Sequence, residues 1–132
     1  MDLVRVGRTT SPYKVYALCN DKGDCPVLDF LMGLDESDEK LRNAMIGFLK
    51  GRVAENGPPK NKERCRQLKN GDGFLEFKRG RIRILWFWDE DRMILCTHAF
   101  PKGNKVSAEI KRAKAIREKY KEAKDSGNLN YR

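Results

Sequence analysis

The spacing of apolar positions divides the chain into helical and strand-like stretches. Tyr13-Lys14-Val15-Tyr16-Ala17-Leu18-Cys19 alternates and is rich in strand formers, so it predicts a first strand. Residues 20–24 are turn formers. Pro26 suits the first position of a short helix, where its missing N–H costs nothing, and Val27, Leu28, Phe30, Leu31 and Leu34 supply that helix's apolar face. Ser37 is a good N-cap for a second helix, with Asp38 and Glu39 complementing the dipole of its first turn. Leu41, Met45, Phe48, Leu49 and Val53 form its stripe, and Asn56-Gly57-Pro58-Pro59 stops it. The two helices are expected to form a hairpin covering one face of a sheet.

Beyond Pro59 the period shortens to two. Residues 64–68 are a weak strand, followed by the glycine-containing turn 69–73. Residues 74–78 pair across Arg79-Gly80 with residues 81–88, and residues 93–100 follow the turn 89–92, giving an antiparallel meander. Ser107 begins a last helix with a narrow stripe of Ile110, Ala113, Ile116, Tyr120 and Ala123. The pattern predicts an α+β domain: a small antiparallel sheet of about four strands, an N-terminal helical hairpin and a C-terminal helix. One domain is expected over residues 1–132, with 1–11 and 125–132 as flexible ends. Trp86 and Trp88 share a strand face with Ile82 and Ile84, so both are expected in the core.

Charge changes this picture. Residues 1–59 are nearly neutral, with eight basic and nine acidic residues, whereas 60–83 carry nine basic and three acidic ones. Residues 101–132 again favour cations, ten to four, within a net charge of +9. Two basic blocks in the second half point to a polyanion-binding surface. No apolar run approaches the roughly 20 residues of a membrane span, and no signal peptide begins the chain, so a cytoplasmic protein with no membrane partner is expected. Cys19, Cys25, Cys65 and Cys96 lack the paired short spacing of a zinc site, and reduced thiols are expected. Neither a metal nor another cofactor is anticipated. A DNA-binding regulator is disfavoured, because no helix-turn-helix is recognisable.

Candidate chemistry gathers on the predicted meander. Phe74, Glu76 and Lys78 share one face of their strand, and Arg81 and Arg83 share one face of the next. A cross-strand ion pair on a solvated face would explain these residues equally well. Lys69 lies in the preceding turn, and His98, Phe100 and Lys102 project together at the end of the last strand. Cleavage of RNA by its 2′-OH needs a base, cations on the phosphate and an acid for the leaving oxygen. Glu76 is the candidate base, Arg83 with Lys69 or Arg81 the anion clamp, and Lys102 or His98 the acid. Phe100 is a candidate base-stacking residue, equally suited to the core, and Lys105 and Lys111 are candidate RNA contacts in the basic C-terminal segment.

Taken in order, Cys25-Pro26-Val27-Leu28-Asp29-Phe30-Leu31, Asn56-Gly57-Pro58-Pro59, Leu68-Lys69 through Gly73 and Leu75-Glu76-Phe77 resemble the RelE superfamily of toxins. Arg81-Ile82-Arg83-Ile84-Leu85-Trp86-Phe87, His98-Ala99-Phe100-Pro101-Lys102 and the closing basic helix extend the likeness, specifically to the phage-derived HigB-like branch. The resemblance covers roughly residues 13–122. It implies a ribosome-dependent endoribonuclease that cuts translated mRNA without a metal and is neutralised by a cognate helix-turn-helix antitoxin. It matches Arg83 to the strand arginine at the scissile phosphate, Lys69 and Glu76 to the preceding polar positions, and Phe100 and Lys102 to the aromatic and basic pair. Two positions depart from the pattern: Trp86 stands where a tyrosine is usual, and Gly103 replaces a second lysine. The competing expectation is a non-catalytic RNA- or partner-binding module, a degenerate toxin or other phage-derived protein.

Overall fold

The computed structural model describes residues 1–132. Seven strands build one mixed sheet: β1 (Asp2–Val6), β2 (Lys14–Cys19), β3 (Cys65–Gln67), β4 (Leu75–Arg79), β5 (Ile82–Asp89), β6 (Met93–Pro101) and β7 (Asn130–Tyr131). Their spatial order is β3-β4-β5-β6-β2-β1-β7. The pairs β2–β6 and β1–β7 are parallel, and the others antiparallel. Helix α1 (Pro26–Met32) is followed by a 3₁₀ turn (Glu36–Asp38). Helix α2 begins at Glu39–Gly47 and continues through a π-helical stretch, Phe48–Val53, into Ala54–Asn56. Helix α3 spans Val106–Asp125. None is long and apolar enough to cross a membrane.

This corrects the expected architecture of about four antiparallel strands under a helical hairpin. The meander β3 to β6 is only half of the sheet. The chain leaves β2 through α1 and α2, traverses the meander, and brings β6 back beside β2 in parallel. Helices α1 and α2 each lay their apolar stripe on the sheet, α1 over β2 and β6 and α2 over β4 and β2, instead of packing as a hairpin. Helix α3 covers the opposite face, against β5 and β6. Coverage on both faces explains why β2 and β6 bury nearly every residue, a continuous apolar run where a one-sided sheet would alternate.

The ends expected to be flexible each contribute a strand at one side of the sheet. β1 pairs with β2 from Asp2–Cys19 to Val6–Val15 and buries Leu3 completely, and β7 adds beside it. The sheet divides the core into two clusters. Val15, Ile84, Trp86, Met45 and Leu49 pack beneath α1 and α2, whereas Leu3, Phe74, Leu85, Phe87 and Tyr120 pack beneath α3. Trp86 is fully buried, but Trp88, expected beside it in the core, is 44% exposed near the end of β5. Gly57 closes α2 at φ +83°, and a Cβ there would lie 2.7 Å from the Tyr13 ring, so this position requires glycine. The expectation of reduced thiols is also overturned in part. Cys19 and Cys25 form a disulfide across the β2–α1 turn, which brings their Cα atoms to 4.1 Å. Cys65 and Cys96 are free and buried, and burial pushes their thiols up to about 11 and about 12.

Candidate functional site

Strand alternation places Glu76, Arg83, His98 and Phe100 on the face beneath α3. The register sets Glu76 opposite Leu85 and Leu85 opposite His98; in the next row Lys78 faces Arg83 and Arg83 faces Phe100. A bulge at Leu85/Trp86 takes up Thr97 as the extra residue of β6, which puts His98 on this face rather than the other.

Glu76 is the charged centre. Its carboxylate side chain is only 2% exposed and accepts a hydrogen bond from Arg66 Nε at 3.0 Å, with Arg83 Nε at 4.0 Å. The Arg83 guanidinium is fixed by its backbone surroundings. Its Nη1 donates to the Gly80 carbonyl at 2.6 Å and to the Ile82 carbonyl at 3.1 Å. The two-residue hairpin turn aims that first carbonyl, with Gly80 at φ +54°. Arg83 is 8% exposed; its Nη2 has no hydrogen bond and is not among the enclosed polar atoms, so the guanidinium keeps a solvent-facing edge. The arrangement is a fixed cation with one open edge beside a covered carboxylate, a geometry able to hold an anionic oxygen.

His98 is fully buried. Its Nε2 lies 2.9 Å from Glu109 Oε2, and its Nδ1 lies 3.1 Å from Thr97 Oγ1, which itself donates to the Leu85 carbonyl. Burial lowers the His98 pKa, and Arg112 lowers it further, against the raising effect of the Glu109 hydrogen bond. The contact between Nε2 and Glu109 ties the first turn of α3 to β6. Phe100 packs beside it at 5.4 Å between ring centroids and is 3% exposed, so its ring belongs to the core cluster beneath α3.

The remaining candidates scatter. Lys102 is exposed in the turn just beyond β6, and its amide donates to the Arg81 carbonyl. Arg81 was expected to share a face with Arg83, but it sits in the hairpin turn and pairs with Asp38 of the helical layer on the other side. Lys69 is exposed beyond the Leu68–Phe74 contact, at the opposite end of β4 from Lys102. At about 3.3 Å per residue, the five steps from Phe74 to Arg79 separate those ends by roughly 17 Å. Lys105 is exposed before α3, and Lys111 follows buried Ile110 by one position, about 100° round the helix and facing solvent. The structure therefore brings together Glu76 and Arg83, encloses His98 and Phe100, and shows no contact of Lys69, Arg81, Lys102, Lys105 or Lys111 with that pair.

Sequence reasoning missed Arg66, which covers Glu76, and the pair Thr97 and Glu109 that holds His98. Arg66 was discoverable, since residues 64–68 had strand character and alternation assigns Arg66 a side. Glu109 carried only the ordinary signal of an acidic residue in a helix's first turn.

A family model described as Phage derived protein Gp49-like (DUF891) matches residues 29–121. No curated protein matches the chain.

Proposed function

This chain belongs to the family of Gp49-like phage-derived proteins, and we propose that it is the toxin of a toxin–antitoxin pair, allied to the HigB-like branch, that cleaves translated mRNA on the ribosome. The observation that carries this reading is the Glu76–Arg83 pair, set on neighbouring strands with an open guanidinium edge. Arg83 receives the scissile phosphate on that edge. Glu76 takes the proton of the attacking 2′-OH, and Lys102, exposed at the strand end, supplies a proton to the leaving 5′ oxygen. Arg66 covers Glu76 in the free protein and is half exposed, so an arriving phosphate draws it outward and uncovers the base. His98 acts here as a positioning residue, holding α3 against β6. A cognate antitoxin of the helix-turn-helix type completes the pair.

A second reading has its own support. Glu76 and His98 are both enclosed, as expected of a module that binds RNA or a partner without cutting. Induced expression separates the two. The nuclease reading expects growth arrest and new transcript ends that disappear in Arg83→Ala, with the variant folded by circular dichroism. Salt-sensitive RNA binding without new ends would favour the binding module.

A further inference from the structure

On the other face of the sheet, where α2 ends, lies a second feature that the cleavage chemistry does not use. A groove of about 900 Å³ runs between the Asn56–Pro59 corner and the outer edges of β3, β4 and β5. Its floor is Trp86 and Cys65, and its wall is Tyr13 and Trp88.

Three observations describe the groove. First, Trp88 is a stacking surface held in place from behind. Its ring is 44% exposed, meets Trp86 edge-on at 5.0 Å and 77°, and is tilted against Tyr13 at 6.3 Å. That gap is too narrow and too angled for a flat ring to enter, so a ligand lies on the open face of Trp88. Second, Trp86 at the floor is fully buried, and the only acceptor near its Nε1–H is the Cys65 sulfur, a weak one. Third, the lining contains Lys60, Lys62 and Arg66 and no carboxylate.

An exposed aromatic platform and an all-cationic lining suit single-stranded nucleic acid, whose bases stack and whose phosphates seek cations. The geometry points to a groove for single-stranded RNA, with one nucleobase on Trp88 and phosphates on Lys60, Lys62 and Arg66. Arg66 lies on the edge strand β3, so it borders both this groove and Glu76 on the opposite face. A strand held here passes round that edge to the Glu76–Arg83 pair. The groove thus rests on the reading of the ligand as RNA, but not on cleavage.

The test is a titration of the full chain with a 12-nucleotide single-stranded 2′-O-methyl RNA, which lacks the attacking hydroxyl. Tryptophan fluorescence and anisotropy of a labelled oligonucleotide are the readouts. The wild type is expected to show quenching that Trp88→Ala abolishes, with affinity weakened about ten-fold. The pair Lys60→Ala and Lys62→Ala should lower the slope of log affinity against log salt by about 1.4, two phosphates at ~0.7 each. Trp88→Ala also removes the edge-on contact with Trp86, so circular dichroism checks that the variant keeps its fold. Unchanged affinity in Trp88→Ala overturns the proposal, as does quenching by a polypeptide partner but not by RNA. Transcript cleavage without Trp88 quenching defeats the groove and spares the nuclease reading; quenching without cleavage does the reverse.

Discussion

Truncating Glu76 should cost more stability than truncating Arg83, although the two residues form one pair. Arg83 is 10% exposed in its side chain and has no carboxylate other than Glu76 within ion-pair distance. Glu76→Ala therefore leaves a nearly enclosed guanidinium without an opposing charge. Breaking a buried pair in this way costs about 3–5 kcal/mol, and the 4.0 Å separation with an open guanidinium edge places the loss near ~3 kcal/mol. Arg83→Ala is milder, because Glu76 keeps Arg66 at 3.0 Å; the loss is about 1–2 kcal/mol, largely of packing along the arginine stem. Glu76→Gln retains an acceptor for Arg66 but not the charge, and should fall between them at roughly 2 kcal/mol. Replacing both residues by leucine should recover most of the loss. Urea unfolding followed by tryptophan fluorescence measures these differences at constant denaturant slope. An Arg83→Ala loss equal to or above that of Glu76→Ala would refute the assignment of Arg66 as the second partner. A Glu76→Ala loss under about 0.5 kcal/mol would remove the buried pair itself.

Three further outcomes follow from the same structure. The lowered pKa of His98 means that, below its ordinary value of 6.5, the unfolded chain binds a proton more readily than the folded one. Stability should therefore be full above about pH 7 and fall as pH drops through 6.5 toward the folded value. His98→Phe should lack that component, and identical thermal profiles for the two proteins between pH 7 and 5.5 would contradict it. Arg117 donates to the Asp72 carbonyl and carboxylate at 2.7 Å each, and its guanidinium lies 4.3 Å from the Phe74 ring centroid. Arg117→Ala should cost roughly 2 kcal/mol in urea unfolding and speed hydrogen exchange in the turn 69–73, which it ties to α3. The Cys19–Cys25 bond closes a loop with a sequence separation of 6, for which chain entropy gives about 2 kcal/mol. Reductant should lower the melting temperature of the wild type but not that of Cys25→Ser.

Much of the sheet was legible because its signals are local. The hairpin and the alternation on either side of it were legible and put Glu76 and Arg83 on one face, but the turn is Gly80-Arg81 rather than Arg79-Gly80, so Lys78 faces Arg83 and not Arg81. The other half of the sheet was not legible. β1 has only five residues, and β7 has two and exists by pairing with β1 at the other end of the chain. The parallel join of β2 to β6 is likewise a tertiary fact, although the near-continuous apolar runs in both strands were its trace. The site divides in the same way. Arg81 and Arg83 are two apart in sequence, but the hairpin turn takes Arg81 out of the pleat and toward Asp38. His98 and Phe100 looked available at a strand end until α3 folded over them, and that docking depends on Glu109, eleven residues beyond His98. Trp88 is half-exposed near the end of β5, which alternation along a strand cannot reveal.

The central claim is that the Glu76–Arg83 face cuts RNA, and mapping 5′ ends of cellular transcripts after brief induction tests it most directly. New ends inside translated reading frames with the wild type, lost in Arg83→Ala and in Glu76→Gln while both variants remain folded, are the result expected. Unchanged transcript ends on wild-type induction, or cleavage that persists in both variants, would contradict it.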